Sequence, residues 1–269
     1  MRGEHSCSPR KICLTMPPAK SSEVKFPWMK RVRTAADAVK FLNHVGSCVL
    51  FPVKGVALPS LYYAAARRPA LTWDRYCILI WKWKDELPRR KRAFYAKYFK
   101  GRGSFISPEM LPYFLAMEES TATVDDFDRY YQQGRITQDG RAIWATLAAN
   151  GPMATLELRH AINMETKTGN MRFKKAMLEL QRRLLVVHFG AEQETAAWAS
   201  GRFELTARAF PKQVAAARAI SPARAREAIA SRYIALYHDA TPLLLARLFG
   251  WSKSDAISAL NSCRTGLQA

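Results

Sequence analysis

Residues 139–200 hold the pattern that most restricts the fold. An amphipathic helix carries Ile143, Trp144 and Leu147 on one face, and Gly151-Pro152 turns the chain. A short helix from Thr155 to Ile162 follows, then a polar loop. A third helix is expected over 171–184, with Phe173, Met177, Leu180 and Leu184 at helical spacing. The run Leu185–Phe189 has β character, 190–194 make a polar tip, and a second extended run reaches Trp198. Three helices and a hairpin in that order form a winged helix. Its third helix is narrow enough for a major groove, and the hairpin can touch the neighbouring backbone. Arg172, Lys175, Glu179 and Arg182 are read as the solvent face of that helix. Glu179 and the wing acids Glu192 and Glu194 suit phosphate poorly, and winged helices also serve in protein contacts.

The charge says what such a fold would meet. The formal net charge is +20 and the sequence pI about 10.1. Residues 1–102 carry 22 Lys and Arg against 6 acids, so the first third holds most of the excess. That clustering favours a polyanion, with nucleic acid ahead of an anionic membrane surface. A merely solvated basic face is the blander reading.

The rest of the chain reads as mainly α with small β-hairpin wings, in tandem winged helix-turn-helix units. Residues 1–25, rich in Ser, Pro, Lys and Arg, read as a flexible basic arm. Residues 26–135 form a basic helical domain containing a first winged-helix-like unit. Residues 136–215 are the winged helix above, and 216–269 a C-terminal helix-turn-helix unit. Thr34 and Asp37 have capping-box spacing, and Gly46 should end that helix. Helical patterns follow over 57–68 and 72–86, the second aromatic and read as buried. Ser107-Pro108, Thr123 and Ser221-Pro222 read as further helix starts. Asp125, Asp126 and Asp128 then fall in a first turn, where the helix dipole favours them over a metal reading. A helix ending near His238, one from Thr241-Pro242 to Gly250 and one capped by Ser252, with Ala256, Ile257 and Leu260 inward, close the chain.

Some classes are disfavoured. The five cysteines have no metal-ligand spacing and read as reduced thiols; the histidines, His188 among them, are scattered. No metal or other cofactor is expected. Neither a signal-peptide core nor an apolar run of about 18 residues is present, so a cytoplasmic chain without a membrane partner is expected, a monomer by preference.

Three segments carry a family resemblance: LNHVGSCVLFPVKGVALPSLYYAAARRP, the unit at 151–189, and RYIALYHDATPLLLARLFGW. Over roughly residues 34–262 the chain resembles the AlkZ/YcaQ-type winged-helix DNA glycosylases. The resemblance implies tandem winged helices around a concave basic channel for double-stranded DNA, and hydrolysis of N-glycosidic bonds of alkylated or crosslinked purines. It also implies a catalytic Gln–apolar–Gln/Asp motif. The matching place here is Leu50-Phe51-Pro52, where no side chain offers an acceptor to water.

Other residues could supply chemistry. Asp85 and Glu86 lie among Lys82, Lys84 and Arg89-Arg90-Lys91-Arg92. A carboxylate there could orient water or stabilise an oxocarbenium-like centre; as ion-pair partners of the basic cluster they need no catalytic role, and that reading is preferred. Trp81 and Trp83 could stack on an extruded base or belong to the core. Lys54 could meet a phosphate or simply be solvated. DNA contact is therefore expected from Lys54, Lys82, Lys84, Arg89, Arg90, Lys91, Arg92, Arg172, Lys175 and Arg182. Three functions stay open: a DNA-binding relative of repair glycosylases, an active glycosylase using a non-family carboxylate, and a transcriptional regulator or interaction module.

Overall fold

The computed structural model describes residues 31–68, 72–193 and 199–265. The arm at 1–25, Cys7, Cys13, Glu194 and Trp198 lie outside the described residues.

Helix α1 (Ala35–Val45) starts where the local chemistry requires it. The Thr34 hydroxyl accepts from the Asp37 amide at 3.1 Å, and the Asp37 carboxylate accepts from the Thr34 amide at 3.0 Å. Gly46, at φ +78°, ends the helix. Strand β1 (Ser47–Val49), α2 (Leu61–Ala66) and α3 (Arg75–Arg89) follow. Asp74 caps α3 by accepting from the amides of Tyr76 and Cys77. Strands β2 (Phe94–Ala96) and β3 (Ser104–Ile106) then make a hairpin, with β3 between β1 and β2 and antiparallel to both. The order is helix, strand, helix, helix, hairpin.

After α4 (Leu111–Met117) and α5 (Phe127–Gln132), the same order returns. It runs α6 (Gln138–Asn150), β4 (Met153–Ala154), α7 (Thr155–Ala161), α8 (Lys167–Arg182), β5 (Val186–Gln193) and β6 (Ala199–Leu205). Again the last strand is central, giving the sheet order β4-β6-β5. The fold is thus mainly α with two small antiparallel sheets, each attached to three helices. Short helices α9 (Thr206–Ala209) and α10 (Pro211–Ala217) lead to α11 (Pro222–Ile234), α12 (Pro242–Phe249) and α13 (Lys253–Thr265).

Several element boundaries differ from the sequence expectation, each for a local reason. Helix α8 begins at Lys167, not 171, because the Thr166 hydroxyl caps it by accepting from Gly169 N at 3.0 Å. The hairpin is longer than expected. Gly190 reads as a turn tip, yet sits at φ +105° in a bulge between His188 and Ala191 within β5, and the second strand occupies 199–205. Ser107 caps a turn, accepting from Met110 N at 3.2 Å, and the helix starts only at Leu111. Asp126 likewise caps the turn from Thr123, accepting its amide at 2.6 Å, and α5 starts at Phe127. Helix α11 ends at Ile234, short of His238. Helix α3 is not buried all round, since Ile78 is 60% exposed, and Ile257 is 39% exposed rather than inward.

Phe41, Leu42, Leu61, Tyr62, Cys77, Ile80, Trp83 and Phe105 fill the core of the first repeat. Tyr130, Ile143, Trp144, Leu147, Phe173 and Leu180 fill that of the second, where the Trp144 indole donates to the Val124 carbonyl. A third cluster runs from Val49, Phe94 and Phe114 through Leu184, Val187 and Phe210 to Tyr233, Leu245, Phe249 and Leu260. It welds both repeats to the C-terminal helices.

Candidate functional site

Helix α3 packs along β5, so a helix of the first repeat meets the hairpin of the second. At this junction Asp85 Oδ1 lies 2.5 Å from Lys84 Nζ and 2.6 Å from His188 Nε2. Lys84 and His188 are buried; the Asp85 side chain is 27% exposed. Burial alone would raise the Asp85 carboxyl, but the His188 hydrogen bond and the Lys84 charge outweigh it and hold it below the usual carboxylate range. Burial pulls the Lys84 ammonium down, with Asp85 opposing. Burial and the Lys84 charge push the His188 imidazole down to about 4, against the pull of Asp85. Near neutral pH Asp85 is therefore a carboxylate and the imidazole is neutral, with its Nε2–H donating to Asp85 beside the Lys84 contact. Tyr95 and Phe203 meet the imidazole edge-on. Gly201 leaves room for it: a Cβ there would stand 2.9 Å from His188 Cε1.

A chain of rings leads from this cluster to the place of the family motif. Lys84 Nζ sits 4.7 Å above the Trp81 ring, Trp81 meets Trp73 at 5.9 Å, and Trp73 meets Phe51 at 6.3 Å. Leu50 is core, its amide donating to the Gly103 carbonyl and its carbonyl accepting from Tyr62 N. At Leu50-Phe51-Pro52 the structure thus puts apolar packing where the resemblance implies polar catalysis.

The structure sorts the residues singled out in the sequence. Trp83 is 2% exposed and has no free face for a base, because it points into the first core. Trp81 is half-buried and keeps the stacking possibility. Lys84 is buried in the Asp85 pair, so it does not present its ammonium to a surface ligand. Glu86 pairs with Arg90 at 3.3 Å, one helical turn on. Lys54, Lys82, Arg89, Arg90, Lys91 and Arg92 are exposed.

Of the expected solvent face of α8, Arg172, Lys175 and Arg182 are exposed and Glu179 is half-buried. Arg172 is held by Asp139 in a two-point pair, with Nε 2.9 Å from Oδ2 and the second contact through Nη2. Glu179 accepts from the Thr137 hydroxyl at 2.7 Å. Both residues thus face the start of α6. Lys167, Met171 and Lys174 form the open row, with Lys175 beside it. Among the described residues none of these three lysines has an ion-pair partner. Further along, Leu178 and Arg182 lie against Gly101 in the β2–β3 turn, and Lys100 there donates to Gly55 O at 2.7 Å. Cations of the second repeat therefore continue into the wing of the first, and on to the Lys54–Gly55 turn. At the other end of that repeat, Arg31 and Arg75 stack on Tyr76 at the first turn of α3, each 4.9 Å from its ring.

Sequence reasoning missed His188, since nothing in spacing links it to Asp85, 103 residues away. It also missed Lys167 and Lys174; the capping Thr166 was the signal that would have extended the helix back to Lys167. Among the described residues no group of three or more His, Cys, Asp or Glu is placed to hold a metal ion, and no helix is long and apolar enough to cross a membrane.

No curated protein matches the chain. Among solved structures it is similar to the Streptomyces sahachiroi DNA glycosylase AlkZ, with TM-score 0.53 and 15% sequence identity. The match covers 87% of this chain but 60% of that one, so this chain spans less than two thirds of that protein's length; at this identity the likeness is one of fold. The model of the AlkZ-related family matches residues 32–250, which is most of the sequence, and the chain belongs to that family.

Proposed function

We propose that the protein binds double-stranded DNA, as a relative of DNA-repair glycosylases, and holds it mainly by phosphate contacts. The observation that carries this is the unpaired cationic row of α8, Lys167, Lys174 and Lys175, which continues through Arg182 to the Lys100 turn. Structural ion pairs consume Arg172; they do not consume these. Family membership and the DNA glycosylase named among solved structures support the same reading. The test is binding of a labelled duplex of about 20 base pairs at low salt. Reversing Lys174 and Lys175 to Glu together should weaken binding at least about tenfold, while Arg172→Ala should have the smaller effect. Unchanged affinity in the double variant would refute the assignment.

Base excision at Asp85 is the second reading. It is favoured by one feature, an ionised, partly exposed carboxylate next to the half-buried Trp81. The Lys84 pair counts against it, because it already neutralises the charge that an oxocarbenium-like centre would need. Alkylated duplex incubated with the protein should yield abasic product that Asp85→Asn abolishes if this reading is right; the absence of product removes it.

A further inference from the structure

The two large apolar side chains most exposed among the described residues are Ile78 at 60% and Met171 at 61%. They occupy matching places. Ile78 is the fourth residue of α3 and Met171 the fifth of α8, the third helix of each repeat. Each sits on a helical row between two cations: Arg75 and Lys82 flank Ile78, and Lys167 and Lys174 flank Met171. Arg75 stacks on Tyr76, and Lys82, Lys167 and Lys174 have no ion-pair partner among the described residues.

An exposed apolar residue alone says little, since folded proteins carry many. Here it recurs at the same place in two repeats, within the first turns of the helix that enters the major groove in helix-turn-helix folds. The flanking cations exclude an apolar partner surface by desolvation, and fit a polyanion that displays an apolar group between its charges. DNA has one such group in the major groove, the C5-methyl of thymine, which apolar side chains contact. We propose that Ile78 and Met171 are base-reading residues that pack on thymine methyl groups while their flanking cations hold the phosphates on either side. This rests on the DNA-binding reading above and adds a preference to it.

The test compares two duplexes of the same sequence, one containing thymine and the other deoxyuridine, which lacks only the methyl group. Shielding one methyl from water corresponds to about a fourfold change in affinity, so the thymine duplex should bind wild-type protein about fourfold more tightly, and more if both helices engage. The Ile78→Ala/Met171→Ala variant should bind both duplexes alike and retain the wild-type salt dependence. Because both side chains are exposed, the variant should fold. Equal binding of both duplexes by the wild type would overturn the methyl contact and leave DNA binding standing. A variant that weakens on both duplexes equally would also overturn it, indicating a wedge between bases instead. No duplex binding by the wild type would overturn both this proposal and the reading under it.

Discussion

His188 shows how one buried side chain can set a response to pH. Its imidazole is neutral in the fold and held down to about 4, whereas in the unfolded chain it titrates near ~6.5. Between those values the unfolded state binds more protons, so stability falls as pH drops through that window, at up to about 1.4 kcal/mol per pH unit. Above the window the group contributes nothing. The Asp85 carboxyl is lowered, so its own contribution is lost only at more acidic pH, as the medium falls through its folded value. Urea unfolding at pH 7 and pH 5 should therefore show a marked acid loss in the wild type. His188→Gln can still donate to Asp85 but cannot titrate, and should show a smaller loss. An equal loss in both proteins would place the acid sensitivity elsewhere.

Two glycines argue at the scale of the element. Gly169 lies in the first turn of α8, where alanine would ordinarily gain up to about 1 kcal/mol of helix propensity. A Cβ there would stand 2.8 Å from Met164 Cα, a backbone atom that cannot step aside. Gly169→Ala should thus destabilise the protein, by about 1–3 kcal/mol as for other overpacked sites, and a rise in thermal midpoint would contradict this packing. Gly201→Ala should push on the His188 ring and cost a similar amount. These elements also show what could be read beforehand. Helices α1, α6, α11 and α12 were legible because side-chain caps and terminal glycines mark them within a few residues. The β2–β3 hairpin was not, because its strands are three residues each and their alternation is too short to register. On α8, Arg172 is exposed as expected, but its pair with Asp139 and the contact of half-buried Glu179 with Thr137 form only when α6 packs alongside, which no local pattern shows. The Asp85–His188 contact depends on α3 packing against β5, a tertiary event that no local pattern encodes.

At the scale of the whole molecule, two repeats of one helix–strand plan are joined by a shared core and by the His188–Asp85 hydrogen bond, and unpaired cations lie on both third helices and on the β2–β3 turn. The net charge of +20 belongs with that arrangement. If the molecule grips DNA by phosphates, binding must release counterions, and the affinity must fall steeply with salt. The direct measurement is the duplex association constant across a salt series, for wild type and for Lys174→Glu/Lys175→Glu. Four or more phosphate contacts correspond to a log–log slope of about −3.6 or steeper, and loss of two contacts should make it shallower by about 1.8. A wild-type affinity that is flat with salt, or a slope that the double variant leaves unchanged, would contradict the account.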